Sequence, residues 1–147
     1  MKKLLRKLTL IGLVVCTLVV CLCAAACSGK AADGNVVYVA EDALAITVTE
    51  AEEGATLKDV MKKMQEDGKI TYVEDGSGMV TTINGRKAVS GASGGEYWAL
   101  FTSDENYGDT DSALTIEGLP TCYYAMVGYA SMPAVEGETY LWAIESW

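Results

Sequence analysis

The sequence predicts a small α+β domain, made of one helix and about six strands, behind an N-terminal export signal. A single segment has apolar residues at the spacing of an amphipathic helix. Several other segments alternate apolar and polar residues, or cluster β-branched and aromatic ones, as strands do. The chain opens with basic residues and then an apolar run, which is the pattern of a signal peptide.

Residues 1–26 are predicted to be that signal peptide. Its four basic residues all precede residue 8, and a nearly unbroken apolar run follows from Leu8 to Leu22. Small residues then precede Cys27. Signal processing requires such residues just before the cleavage site. The segment Ala24-Ala25-Ala26-Cys27 resembles a bacterial lipobox, whose Cys accepts a diacylglyceryl lipid. We therefore expect lipidation of Cys27.

Two alternatives to the lipid anchor stay open. Lipoboxes most commonly carry Leu three positions before the Cys, where this chain has Ala24. The stretch from Leu8 to Ala26 is also about long enough to span a bilayer, which takes roughly 20 residues. The first alternative is ordinary signal cleavage without a lipid. The second is a leader that is retained as a membrane anchor. All three place the rest of the chain outside the cytoplasm.

The predicted boundaries are 1–26 for the signal peptide, 27–42 for the lipidated Cys and a tether, and 43–147 for one domain. Small polar residues after Cys27 suit a flexible tether to the cell surface. The chain has 11 basic and 20 acidic residues, and the leader holds four of the basic ones. Its removal leaves 7 against 20, a formal charge of −13. This charge disfavours nucleic acids and anionic lipid surfaces as partners.

Cysteine usage excludes a disulfide within the mature domain. Cys16, Cys21 and Cys23 lie in the leader, and Cys27 is assigned to the lipid. Cys122 then has no cysteine to pair with, and its apolar neighbours predict a buried, inert thiol rather than a reactive or metal-binding one.

The first predicted strands precede the helix. Residues 36–39 are rich in strand-forming side chains. Residues 43–49 alternate, which places Leu44, Ile46 and Val48 on one face of a half-buried strand.

The predicted helix begins after Thr56, a suitable N-cap, with Asp59 at the capping-box position. Its apolar residues recur at the i, i+3, i+4 and i+7 spacing: Leu57, Val60, Met61 and Met64. Core packing is the favoured role of the two Met residues, and a soft-metal site or promiscuous groove is the alternative. Gly68 is expected to end the helix in the left-handed conformation.

Strand patterns return after the helix. The predicted strands cover residues 70–73, 79–83, 97–102, 113–116, 123–127 and 140–144. Asn84-Gly85 is a strong hairpin-turn signal, and residues 103–111 read as a polar, acidic loop. A single helix between early strands predicts a β-grasp-like roll, with the helix packed on a mixed β-sheet.

The residue inventory disfavours an enzyme. The chain contains no histidine, which removes imidazole bases, Ser-His-Asp and Cys-His catalysis and most zinc sites. The glycine-rich stretch 91–95 lacks the consecutive Lys and Ser/Thr that end a phosphate-binding loop. The acidic residues 104–111 do not have the spacing of an EF-hand loop. We expect no catalytic residues, no metal and no obligate cofactor.

Aromatic residues are the more informative group. Tyr97 and Trp98 follow a glycine-rich loop, and exposed aromatics beside such loops can cover a flat apolar ligand. The alternative is that they belong to the core of a small sheet, which is the favoured interpretation for Trp142 in the last strand.

The order of motifs resembles a bacterial domain family of unknown function that is similar to the C-terminal domain of transcobalamin and intrinsic factor. The motifs are Gly54-x-Thr56-Leu57-x-Asp59-Val60, Ile83-Asn84-Gly85, Tyr97-Trp98-Ala99-Leu100, Val127-Gly128 and Glu136-Gly137-Glu138-Thr139-Tyr140. The resemblance covers about residues 43–147. This chain carries residues 105–123 where family members run almost directly into the next strand.

The resemblance implies a β-grasp-like fold and a ligand-binding role. In the vertebrate carriers the related domain closes over one face of cobalamin. The residues carried over are Trp98, Leu100 and Thr102, with Gly128 on the facing turn. We therefore expect a non-enzymatic surface lipoprotein that binds a corrinoid or another small flat ligand, with a transporter or cell-envelope protein as partner. The alternative is an adhesive or structural module that binds protein or glycan.

Overall fold

The computed structural model describes residues 35–147, so the predicted signal peptide, lipobox and Cys27 lie outside the described residues. Helix α1 spans Leu57–Glu66. The strands, in chain order, are β1 Val36–Ala40, β2 Ala43–Thr47, β3 Tyr72–Glu74, β4 Val80–Ile83, β5 Arg86–Lys87, β6 Ser90–Gly91, β7 Gly94–Thr102, β8 Gly108–Leu114, β9 Cys122–Ala125 and β10 Thr139–Ser146. The predicted α+β class is confirmed.

Seven strands form the main sheet, in the order β1-β2-β10-β7-β9-β8, with β6 paired to the start of β7. Every strand pairing within residues 35–147 is antiparallel. The prediction of a mixed sheet is therefore wrong. Short turns connect β1 to β2 and β6 to β7, and such turns can join only antiparallel neighbours. After α1 the chain enters a second, three-stranded sheet, β3-β4-β5, instead of returning beside β2.

Helix α1 follows its sequence signals. Thr56 is the N-cap, and its side chain and that of Asp59 form the predicted capping box. The four predicted apolar residues are the buried ones. Gly68 has a φ of 71°, which is the left-handed conformation expected just after the helix.

Apolar cores lie on both faces of the main sheet. The larger core packs α1 and the small sheet against β2, β7 and β10, and includes Leu44, Trp98 and Trp142. The second core contains small or flat residues of the same strands, such as Ala45 and Phe101. Strand β2 is consequently buried on both faces, where a half-buried strand was predicted, because alanines occupy its second face.

The predicted hairpin turn joins β4 to β5. Asn84 and Gly85 have φ angles of 46° and 83°, the positive values that a type I′ turn requires at both positions. Arg86 is the next residue. The turn therefore sets the positions at which the Arg86 side chain and backbone carbonyl contact the main sheet.

One edge strand lies where a loop was expected, and the other, predicted as a strand over residues 36–39, lies upstream of the predicted domain boundary. β8 occupies part of the predicted polar loop 103–111, and most of its residues are exposed. β1 falls within residues 27–42, the predicted tether, and pairs along its whole length with β2. The folded region therefore begins upstream of Ala43.

Candidate binding groove

A groove of about 290 Å³ opens where β7 and β9 diverge. The two strands pair only at Phe101 and Thr102, and the chain that follows β9 then leaves the sheet. Four segments line the opening: residues 78–80, 97–100, 124–129 and Trp142. We call this opening the β7 groove. It contains no charged side chain.

The rim of the β7 groove exposes large apolar side chains. Met79 is 53% exposed and Met126 61%, and both lie on the lining. Tyr124 is also exposed, and its ring packs edge-on against Phe101. Flexible methionines at the mouth of an apolar groove can adapt to ligands of different outline.

The floor is aromatic and rigidly held. Trp98 and Trp142 are each 4% exposed, and they belong to the larger core. Tyr129 packs edge-on against Trp142, with ring centroids 5.7 Å apart. Trp142 is therefore a core residue, as predicted, and it also lines the groove.

Three of the four ligand-binding residues predicted from the resemblance lie together on this lining: Trp98, Leu100 and Gly128. Thr102 does not. It is fully buried, its hydroxyl accepts a hydrogen bond from the Asp104 amide, and it lies beyond the point where β7 and β9 begin to pair.

The small sheet holds Trp98 in place. The Trp98 indole N–H donates a 3.1 Å hydrogen bond to the backbone carbonyl of Arg86. The Arg86 guanidinium in turn binds both carboxylate oxygens of Glu96 and also contacts Asp42. These contacts, that to Glu96 foremost, raise the pKa of Arg86, and the Arg86 side chain lowers the pKa of Glu96.

A second polar cluster holds Tyr129. The Tyr129 hydroxyl donates to the carboxylate of Glu74, which also forms a 2.9 Å salt bridge with Lys58 of α1. Hydrogen bonds from Tyr129 and Lys58 lower the pKa of Glu74. Burial, followed by the bond to Glu74, raises the pKa of Tyr129. The groove wall is thus tied to both the helix and the small sheet.

One buried polar atom of a groove-lining residue lacks a partner. The indole Nε1 of Trp142 is buried, and no group within residues 35–147 accepts its hydrogen bond. A buried donor without an acceptor costs roughly 1–3 kcal/mol. An acceptor on a bound ligand would remove this cost.

Uncharged, aromatic and partly exposed, the groove suits binding of a neutral, flat, apolar molecule. Within residues 35–147, no three or more acidic or Cys side chains are arranged to hold a metal ion. A second cleft, of about 490 Å³, lies beside α1, but it is lined largely by charged residues such as Glu50 and Lys63 and contains no buried polar atom without a partner.

Sequence reasoning missed much of the lining. Met79, Met126 and Tyr129 carried no signal beyond their position in or near short strands. Strand β9 ends at Ala125 rather than at residue 127, and this early departure exposes the groove. For the lining segment 124–129, the sequence signal was Gly128, which follows a strand-like run.

None of residues 35–147 belongs to a helix with the length and apolar character needed to cross a membrane. Comparison with protein-family models, with curated proteins and with solved structures found no match to this chain.

Proposed function

We propose that this protein is a non-enzymatic binding module, anchored outside the cell membrane as a lipoprotein, that takes up a small flat ligand in the β7 groove. Cobalamin or another corrinoid is the leading candidate, in line with the family resemblance of the sequence. A transporter or another cell-envelope protein is the expected partner. We also propose that the fold is an antiparallel variant of the β-grasp roll, since one helix follows an N-terminal hairpin and packs on the sheet.

The observation that carries the proposal is the clustering of Trp98, Leu100 and Gly128 on one uncharged, aromatic lining. Trp98 and Leu100 lie on β7 and Gly128 is distant from them in sequence, and the resemblance selected all three from sequence motifs alone. A volume of about 290 Å³ is at the lower end of the range for small-molecule sites. The groove would therefore cover part of one face of a corrin ring, and leave the rest to solvent or to a partner.

Titration with cobalamin tests the proposal. The full chain is placed in lipid nanodiscs, and empty nanodiscs serve as the blank. Binding is followed by tryptophan fluorescence and by corrin absorbance, because Trp98 and Trp142 both lie on the lining. Saturable change in both signals is expected. No change at high micromolar cobalamin would reject the corrinoid version.

The lipid anchor needs its own test. Cells that express the chain are grown with a palmitate analogue, and labelling of the protein is compared with that of Cys27→Ser. Labelling that disappears in the variant supports lipidation. Equal labelling of both, or labelling of neither, would favour a retained leader or ordinary cleavage.

A second candidate function rests on the β1 edge of the sheet. Among residues 35–147, β1 pairs only with β2, and Tyr38 and Val39 on it are exposed. An exposed apolar edge strand can pair with a strand of another protein. Cross-linking in the cell envelope should then recover a partner from the native chain and lose it in Val39→Lys, whereas Met126→Lys in the groove should retain it.

A further inference from the structure

One side of β7 has no neighbouring strand inside the β7 groove. β6 pairs with β7 only at Gly94 and Gly95, and β9 pairs only at Phe101 and Thr102. Between these pairs, none of the strands of residues 35–147 pairs with residues 97–99 on that side, although β4 contacts β7. The other side of β7 is paired continuously with β10.

Backbone hydrogen bonds show which residues face the open side. Along a strand, alternate residues direct their N–H and C=O groups to opposite sides. Glu96 donates its N–H to Val89, away from β10, whereas Gly95 accepts a bond from Trp147, which continues β10. Trp98 is two residues from Glu96, so its N–H and C=O both face the groove.

Neither group of Trp98 takes part in the pairings of β7 with β10, β6 and β9 or in a loop or turn hydrogen bond of residues 35–147. Such a bare donor and acceptor on one nearly buried residue are unusual, because buried backbone groups are almost always paired. Trp142 Nε1, on the same lining, is a third unpaired group and a donor. The groove therefore contains hydrogen-bonding groups that the protein itself does not use.

We propose that the β7 groove recognises a small planar heterocycle through an amide edge, as found in lactams and cyclic imides. The ligand carbonyl accepts the Trp98 N–H, and the adjacent ligand N–H donates to the Trp98 carbonyl. Trp142 Nε1 supplies a donor for a further acceptor on the ring system. This inference rests on the proposed binding function and specifies a small flat ligand other than a corrinoid, because the corrin ring carries no cyclic amide edge.

The surroundings favour a neutral planar ring over an extended peptide. The lining is aromatic and carries no charge. The unpaired edge covers residues 97–99, roughly 10 Å at about 3.3 Å per residue, because the Glu96 N–H is bonded to Val89 and pairing with β9 resumes at Phe101. A peptide strand would have to end within this short span, whereas a bicyclic or tricyclic ring fits between the ends.

Three probes of similar size test the inference: lumichrome, which has a cyclic imide edge; its N1,N3-dimethyl derivative, which has no ring N–H left; and phenazine, which has no amide edge. The full chain in nanodiscs is titrated with each, against empty nanodiscs, by quenching of tryptophan fluorescence. Lumichrome is expected to bind about tenfold more tightly than the other two, because methylation or loss of the imide removes the hydrogen bonds to Trp98.

The variant Trp142→Phe separates the third donor from the ring stacking. It should weaken lumichrome binding about threefold or more and leave phenazine binding unchanged. Circular dichroism and thermal unfolding check that the variant folds. If it does not fold, the comparison of the three probes on the native chain still decides.

The outcomes distinguish the inference from the binding function. Equal affinities for the three probes would overturn amide-edge recognition and leave a binding groove in place. Binding of cobalamin without binding of lumichrome would also overturn amide-edge recognition and leave the groove in place. Binding of a capped Ala-Val-Ala peptide in place of lumichrome would lead to the same conclusion. No binding of any probe or of cobalamin would overturn both.

Discussion

The hydroxyl of Tyr129, on the wall of the β7 groove, donates a hydrogen bond to the carboxylate of Glu74 on β3. The two residues are 55 positions apart in sequence, and Lys58 of α1 binds the same carboxylate. One side-chain cluster thus joins the helix, the small sheet and the loop that forms the groove.

Removal of this hydroxyl should destabilise the domain. Tyr129→Phe keeps the ring contacts with Trp142 but loses the bond to Glu74. The expected cost is about 1 kcal/mol of unfolding free energy, measured by urea denaturation. Tyr38→Phe is the control, because Tyr38 is exposed on an edge strand, and it should change the free energy by less than about 0.5 kcal/mol. Equal effects of the two variants would contradict the role assigned to the cluster.

Acid should weaken the contacts that hold the groove floor. Hydrogen bonding to Arg86 lowers the pKa of Glu96 below its ordinary 4.5, so its contribution to stability is present above about that value. The contribution is lost as the pH falls through the lower pKa of the folded state. Thermal unfolding between pH 7 and pH 2.5 should show a steeper loss in the native chain than in Glu96→Gln.

Acid also protonates the many other carboxylates and so relieves their mutual repulsion. This effect is the same in the native chain and in Glu96→Gln. The difference between the two curves therefore isolates Glu96. Parallel curves over the entire pH range would show that the pair with Arg86 does not contribute.

Close packing between β8 and β9 should not tolerate a side chain at Gly108. A Cβ added there would lie 2.5 Å from the Cβ of Tyr123 and 3.4 Å from the carbonyl oxygen of Asp104. Gly108→Ala should therefore cost about 1–3 kcal/mol in urea denaturation, as overpacking does. Gly76→Ala, where a Cβ meets nothing within 4 Å, is the matched control. A Gly108→Ala protein as stable as the control would contradict the close approach.

The Cys122 thiol should be unreactive in the folded protein. It is fully buried, and burial, helped by the charge of Glu138, raises its pKa to about 11. At pH 8 almost no thiolate forms, and reagent has no access. Mass spectrometry of the Cys122 peptide should show maleimide labelling in 6 M urea and little under native conditions. Rapid native labelling would reject the buried, inert thiol.

Local signals account for the parts of the fold that the sequence predicted correctly. Helix α1 is confirmed because its cap, apolar stripe and final glycine all act within a few residues of one another. Most of strand β8 was missed for the opposite reason, and its last two residues, Ala113 and Leu114, fall in the strand predicted over residues 113–116. Its residues are mostly exposed at the sheet edge, so that no apolar pattern marks them, and its formation depends on pairing with β9.

The groove depends on contacts that are distant in sequence. Trp98, Leu100 and Gly128, which the resemblance selected, lie on one lining, but the position of Thr102 depends on where β9 begins to pair with β7. Pairing register is a tertiary property, and adjacent residues of one strand do not reveal it. The early end of β9 likewise follows from the bond between the Met126 amide and Tyr107, which draws the chain away from β7.

Substitution at the groove rim should separate binding from stability. Met126 is 61% exposed, so Met126→Glu should change the unfolding free energy by less than about 0.5 kcal/mol. A carboxylate at the mouth of an uncharged groove would lose water when a ligand enters, and unpaired desolvated charges are costly. Cobalamin or lumichrome should therefore bind at least about tenfold more weakly to this variant. Val39→Glu adds the same charge at a similarly exposed residue of β1, outside the groove, and should bind as the native chain does. Equal weakening in both variants would assign the effect to net charge, and unchanged affinity in Met126→Glu would place the ligand elsewhere.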